Sequence, residues 1–382
     1  MPRHTKVLIF CDYFIPGFKG GGPVTTLRNL LVRLGDRIDF YVVTRDRDLG
    51  DERSYGDVKT GVWLPITGGQ VLYLRESQAS VARFRDLIAE IAPQTVYLNS
   101  TLSRRFSLFP LLAARFSSPR PHIILAPRGE FSDGALALKP LRKRLYLTAL
   151  RAGGLWRGVE WQASSSFEAA DIRAVAGRTE EVTIAQDLPG ALPELAPRRP
   201  KRSGRAEIVF LGRISPMKNL DGAIGVLQGL IGEVDFRVYG PIEDGPYWER
   251  CLKLADLLPR SVRFRHMGQI APDAVPAILG GADVLLLPSH GENFGHVVAE
   301  ALGAGCPVIL SDRTPWRDLQ ALGVGWDLPL DQPESFTAAL QHIVDMGNNE
   351  HATYRDASRA HAGLITDDIA LLESNLALFQ RQ

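Results

Sequence analysis

Residues 283–312 read DVLLLPSHGENFGHVVAEALGAGCPVILSD, and this pattern leaves few folds open. The apolar run 283–287 has the length and leucine content of a buried strand. A polar loop, 288–291, follows, then Glu292 and Phe294-Gly295. The run 296–304 has helical spacing, and 307–311 reads as a second buried strand. Strand, helix and strand in that order form a parallel pair with a crossover. In open sheets of this kind, ligands bind beyond the carboxyl ends of the strands. The helix start offers unpaired N–H groups and a positive dipole end, which suits a phosphate. Glu292 stands at that point, and Glu300 lies eight residues on. Two carboxylates beside an anion site fit one ligand that carries both phosphate and hydroxyl groups. A nucleotide sugar is such a ligand.

The same alternation fills the chain. Strands are expected at 6–10, 40–44, 69–74, 95–98 and 122–126, with helices at 25–34 and 80–91. Pro189, Pro193, Pro197 and Pro200, set among Gly, Ala and Arg, mark a linker. Strands at 207–211, 236–239 and 262–267 and helices at 220–230 and 247–258 then lead into the opening stretch. The segment 364–379 has apolar residues at helical spacing. The expectation is two α/β domains, 1–187 and 205–363, joined by 188–204. A length of 382 residues supports two hydrophobic cores.

Three further motifs carry chemistry. FLGRISPMKNL places Arg213 and Lys218 after a strand and at a helix start, five residues apart. An Arg fork and a Lys ammonium there can neutralise a departing diphosphate without a metal ion. Gly20, Gly21 and Gly22 follow the first strand, where consecutive glycines let backbone N–H groups approach a phosphate; a flexible loop fits equally. No G-x-G-x-x-G occurs, which disfavours a dinucleotide-binding dehydrogenase. KPLRKR, residues 139–144, fits both a solvated helix face and a site for an anionic acceptor.

The stretch with Glu292 and Glu300 resembles the E-x7-E signature of the family 4 retaining glycosyltransferases of the GT-B fold. The resemblance extends to FLGRISPMKNLDGAI, to VYGP at 238–241 and to GGGP near the amino terminus. It implies two Rossmann-like domains facing across a cleft, with a last helix within 364–382 returning to the first. It implies transfer of a hexose from a nucleotide-diphosphate sugar, UDP favoured over GDP, to a glycan or lipid-linked acceptor. Arg213, Lys218 and Glu292 would act on the leaving group and the hexose. Gly20, Gly21, Gly22, Met267, Gly268, Asn293, Phe294, Gly295 and Glu300 would bind substrate. Many relatives carry a His where APRGEF, 126–131, has Arg128, so Arg128 is assigned to sugar or acceptor binding and His122 to structure. Rival readings are an epimerase or hydrolase of the same fold, or a non-catalytic sugar-nucleotide-binding subunit. Product analysis without acceptor separates the first, and donor turnover by the purified chain rejects the second.

Composition excludes other classes. Cys11, Cys251 and Cys306 form no C-x-x-C, which excludes a disulfide framework and fits a reducing cytoplasm. No metal-ligand spacing occurs among eight His, and Asp46-Arg47-Asp48 in RDRDLGDE reads as surface charge. No metal, cofactor or nucleic-acid partner is expected. Net charge is +1, yet residues 1–182 hold 26 Lys and Arg against 18 acids, and the remainder 18 against 25. A basic first half suits an anionic acceptor or a peripheral contact with an anionic membrane at its cytoplasmic face.

Overall fold

The computed structural model describes residues 4–137, 140–177, 181–195 and 200–380. The chain divides into two compact units, Met1–Leu188 with Ile369–Gln382, and Pro189–Asp368.

The first unit is built on strands β1 (Thr5–Phe10), β2 (Ile38–Arg45), β3 (Trp63–Ile66), β4 (Gly69–Leu74), β5 (Thr95–Leu98), β6 (His122–Leu125), β7 (Glu160–Ala163) and β8 (Val182–Ile184). Its helices are α1 (Gly22–Leu34), α2 (Val81–Ile91), α3 (Phe109–Arg115), α4 (Asp133–Ala137), α5 (Pro140–Ala152) and α6 (Ser166–Ala176). The sheet order is β3-β4-β2-β1-β5-β6-β7-β8, parallel except for β3 against β4. Val7, Leu8, Ile9 and Phe10 are all fully buried, as expected of a central parallel strand covered on both faces. Ser80 starts α2 by accepting the Arg83 N–H, and Ala92 ends it in a left-handed turn.

The second unit holds β9 (Arg205–Leu211), β10 (Glu233–Tyr239), β11 (Val262–Gly268), β12 (Val284–Leu287), β13 (Val308–Ser311) and β14 (Gly325–Leu328). Around them lie α7 (Leu220–Leu227), α8 (Gly245–Ala255), α9 (Val275–Gly281), α10 (His296–Gly303), α11 (Pro333–Asp345) and α12 (Asn348–Thr366). The order is β11-β10-β9-β12-β13-β14, all parallel. Numbered along the chain this is 3-2-1-4-5-6, the doubly wound order whose direction reverses between β9 and β12. Residues 189–195 and 200–204 belong to this unit, where Lys201 is buried and Pro193 lies against Gly303.

Two local differences from the sequence reading have clear causes. The periodic run 364–379 is interrupted. Helix α12 ends at Thr366, and a last helix, α13 (Ile369–Gln380), starts after Asp367-Asp368. Aspartate is a poor interior residue and a favoured one just before a helix. Helix α13 packs on the first unit, with Phe379 edge-on to Phe40 and Tyr97. Asp46 and Asp48 are not surface charge, being 1% and 4% exposed. Asp46 accepts from Arg47 (3.0 Å) and Ser54 (2.6 Å). Asp48 accepts the N–H groups of Phe18 (2.7 Å) and Lys19 (3.0 Å), so it holds the loop that leads into the glycines. Among the described residues no helix is long and apolar enough to cross a membrane.

Candidate functional site

The reversal point of the second sheet lies between β9 and β12, and the loops leaving these two strands carry Lys218 and Glu292. After β9 the chain runs through Arg213 to a short turn, Pro216–Lys218. Asn219 then takes a left-handed conformation and caps α7 by accepting the Gly222 N–H at 3.2 Å. Its amide also donates to the Pro288 carbonyl at 2.9 Å, and the His290 N–H donates to the Met217 carbonyl at 2.8 Å. These bonds fix the two loops to each other. The Lys218 ammonium lies 2.5 Å from a Glu292 carboxylate oxygen, the side chains being 17% and 9% exposed. Beyond Glu292, Lys218 has no other polar partner among the described residues, so two of its three N–H groups are free for a ligand.

Helix α10 begins beside this pair. Gly295 precedes it as the cap residue at φ +80° and has no side chain to bond the first turn. The positive end of the helix thus lies close to Glu292, whose Cβ is 3.8 Å from where a Cβ on Gly295 would stand, and a cation with backbone donors suits an anion. Asn293, Gly295 and Glu300 are half-buried on the same stretch. Phe294 is different: it is 2% exposed, packs against His296 and Trp316, and gives its carbonyl to the Trp316 N–H at 2.6 Å. Its side chain shapes the helix start from below.

Arg213 shares the Lys218 loop but reaches outward to Glu243 at 2.8 Å, with both side chains about half exposed. The loops after β9 and β10 pass very closely. A Cβ on Gly240, at φ +141°, would sit 1.9 Å from the Gly212 oxygen, so this position requires glycine. The Gly240 N–H donates to the Gly268 carbonyl at 2.9 Å, which brings the end of β11, with the 44%-exposed Met267, to the same edge of the sheet.

Gly20, Gly21, Gly22 and Arg128 belong to the first unit. The glycines enter α1, with Gly21 at its cap and no acidic residue in the first turn. The loop before them is tied down. Tyr73 donates its hydroxyl to the Ile15 carbonyl, Asp48 takes two N–H groups, and Lys19 pairs with Asp51 at 2.5 Å. Arg128 is enclosed: Nη1 meets Asp187 at 2.7 Å, Nε and Nη2 meet Asn99 at 3.1 Å, and Nη2 also meets the Tyr97 hydroxyl. Burial opposes its charge, but Tyr97, Asp187 and Glu168 outweigh that and raise its pKa. Burial pushes Tyr97 up to about 12. Glu130 accepts hydrogen bonds from Ser100, Thr101 and Leu102, while burial raises its carboxyl pKa. His122 pairs with Glu160 at 3.1 Å at the other end of β6.

Sequence reasoning overlooked Asn219 and Glu243. The first was accessible, since Asn before a helical run is a favoured cap. The second rests on the β10 loop, and only the fold brings it to Arg213.

Residues 193–360 match the family described as glycosyl transferases group 1. A 2-deoxystreptamine N-acetyl-D-glucosaminyltransferase of Niallia circulans is 38% identical over 116 residues, 29% of this chain and 28% of the relative. A D-inositol 3-phosphate glycosyltransferase of Kineococcus radiotolerans is 30% identical over 46% of this chain and 44% of its own length. The chain thus spans less than half the length of the curated relatives it matches. Solved structures align along nearly all of it. The sucrose-phosphate synthase of Thermosynechococcus elongatus covers 99% of this chain and 98% of its own, with TM-score 0.68 and 16% identity. Anabaena Alr3699/HepE in complex with UDP-glucose covers 98% and 99%, with TM-score 0.66 and 15% identity. The chain has the GT-B fold, and residues 193–360 of its second unit match the glycosyl transferases group 1.

Proposed function

We propose that this chain is a retaining glycosyltransferase that takes a hexose from a nucleotide-diphosphate sugar, with UDP favoured, and transfers it to a glycan or lipid-linked acceptor of polysaccharide or cell-surface glycan synthesis. The observation that carries the reading is the Lys218–Glu292 pair at the reversal point of the second sheet, beside the start of α10 with glycine as its cap residue. A ligand that is anionic at one end and hydroxyl-rich at the other uses both partners. The ammonium and the helix end meet the diphosphate; Glu292 and Glu300 accept hydroxyl protons. The names of relatives and of a neighbour bound to UDP-glucose support the same class.

In the proposed reaction the bond from the sugar C1 to the diphosphate oxygen breaks as the acceptor oxygen bonds to C1 on the same face. The acceptor proton passes to the departing phosphate oxygen, and no covalent nucleophile is needed. Lys218, with Arg213 released from Glu243, stabilises the negative charge that develops. Gly268 and the exposed Met267 are assigned to the nucleobase side. Asn293 and Gly295 are assigned to the diphosphate and the hexose. The acceptor is assigned to the first unit, with the Gly20–Gly22 loop contributing backbone donors. Arg128 is assigned to holding that unit's loops, since its guanidinium bonds Asp187, Asn99 and Tyr97 within it.

Two experiments test this. Thermal shift and turnover across a panel of UDP-, GDP- and ADP-hexoses should single out one donor class, with hydrolysis detectable without acceptor. No stabilisation by any of them sinks the reading. In this reading cationic side chains do the work of an ion, so excess EDTA should leave the initial rate unchanged. A strict requirement for added manganese or magnesium would overturn that part.

A further inference from the structure

The first unit carries its positive charge in one region. Between Glu90 and Glu160 the sequence holds eleven Lys and Arg against two acids, Glu130 and Asp133. The Glu130 carboxylate is buried and engaged by Ser100, Thr101 and Leu102, so it offsets little of this at the surface. Helix α5 lies in the middle of this stretch and is apolar on two sides. Leu147 and Leu150 face the core. Leu141, Arg144, Leu145 and Thr148, at helical spacing, form an exposed stripe, with Arg142 and Arg151 beside it. Leu141 is 82% and Leu145 74% exposed. Lys143 turns inward to the Ala135 carbonyl at 2.5 Å, and Lys139 lies outside the described residues.

A second group lies beyond the carboxyl end of α5. Arg115 donates to the carbonyls of Leu155 (2.7 Å) and Arg157 (3.1 Å), tying the end of α3 to the turn after α5. Burial, then the like charges of Arg120 and Arg157, lower the Arg115 pKa, so three guanidinium groups gather there. Phe116 beside them is 77% exposed. Among the described residues, Arg120, Arg142, Arg144, Arg151 and Arg157 have no acidic partner.

We propose that this face docks on an anionic lipid bilayer, with Leu141 and Leu145 entering the headgroup boundary and the arginines meeting lipid phosphates. A bilayer satisfies both halves of the pattern, since it offers anionic charge above hydrocarbon. A nucleic acid offers phosphates but no seat for a pair of leucines one helical turn apart; it rewards stacked aromatic rings. The inference is independent of the sugar chemistry, and its test uses no donor.

The test is sedimentation of the full chain with vesicles of phosphatidylcholine, with and without phosphatidylglycerol as the anionic lipid, at low salt. Binding should require phosphatidylglycerol and weaken as salt rises. Arg142→Glu with Arg144→Glu should lower partitioning by at least about tenfold. Leu141→Gln with Leu145→Gln, which keeps the charge, should lower it by about tenfold, with the thermal midpoint unchanged. The three native cysteines are buried, so a Leu145→Cys chain takes a polarity-sensitive dye at one site. Its emission should move to the blue on the anionic vesicles. Absent binding at low salt, loss-free binding by the leucine variant, or an unshifted dye would each overturn the proposal. The last two with tight binding to a single-stranded oligonucleotide would name a polyanion as the partner instead.

Discussion

Lys218→Ala should cut transfer about 10²–10³-fold while the fold stays intact, the range for loss of one preorganised group facing developing charge. The ammonium is held by Glu292 at 2.5 Å and by a loop that Asn219 and His290 pin to its neighbour, so it needs no reorganisation to meet a diphosphate. Glu292→Ala should act as strongly, for a different reason. It removes a hydroxyl acceptor and also frees the ammonium from the carboxylate that holds it. The two variants separate in the Michaelis constant for donor: loss of Lys218 weakens the diphosphate and raises it. Loss of Glu292 leaves that attraction and mainly lowers kcat. Arg213→Ala should cost less than Lys218→Ala, because Arg213 is half exposed and paired to Glu243. Near-wild-type kinetics in both Lys218→Ala and Glu292→Ala would remove this site from the mechanism.

Asp187→Ala should strongly destabilise the first unit. Its carboxylate faces the Arg128 guanidinium at 2.7 Å, and the two side chains are 7% and 6% exposed. It also accepts the Thr26 hydroxyl at 2.8 Å. Removing one partner of a buried pair leaves the other charge unpaired at a cost of roughly 3–5 kcal/mol. Glu168 stays within reach of the arginine's field, which favours the lower end of that range. Urea unfolding followed at the first unit should show the loss. Replacing both partners, Arg128→Met with Asp187→Leu, should recover most of it, because an apolar pair needs no compensation. A change below about 1 kcal/mol in Asp187→Ala would mean that the guanidinium has found water.

The centre of the second sheet was readable because β12 and β13, VLLL and VILS, are short, almost wholly apolar runs joined through one helix. Strand β12 is buried at every position, and residues 283–287 announced it. The Lys218 and Glu292 loops followed from the strand ends. Strand β3 was not readable, since Trp63–Ile66 contains Pro65 and pairs antiparallel at an edge, where proline is tolerated. Strand β7 was missed for another reason. Its Glu160 and Gln162 look like loop residues, yet Gln162 is buried by bonds to Tyr97 and to the Ala185 carbonyl. The same kind of distant partner decided Arg128 and Asp48. Each looked like a residue for a ligand or for solvent. Each is claimed by groups far away in sequence, Asp187 and Asn99 for one, Phe18 and Lys19 for the other.

Helix α13 makes the first unit discontinuous in sequence, and synthesis proceeds from one end. The ribosome finishes residues 189–368 before the segment that carries Phe379 emerges. Until then the seat formed by Phe40 and Tyr97 has no cover, and the Asn375 amide has not reached the Gln186 carbonyl, 2.8 Å away in the finished fold. The core of the second unit draws on residues 189–368 alone, whereas that of the first needs the last helix. Without α13 the sheet of the first unit would keep the Phe40 and Tyr97 rings uncovered on that face. A chain cut after Thr366 keeps every strand of both sheets and still lacks that cover.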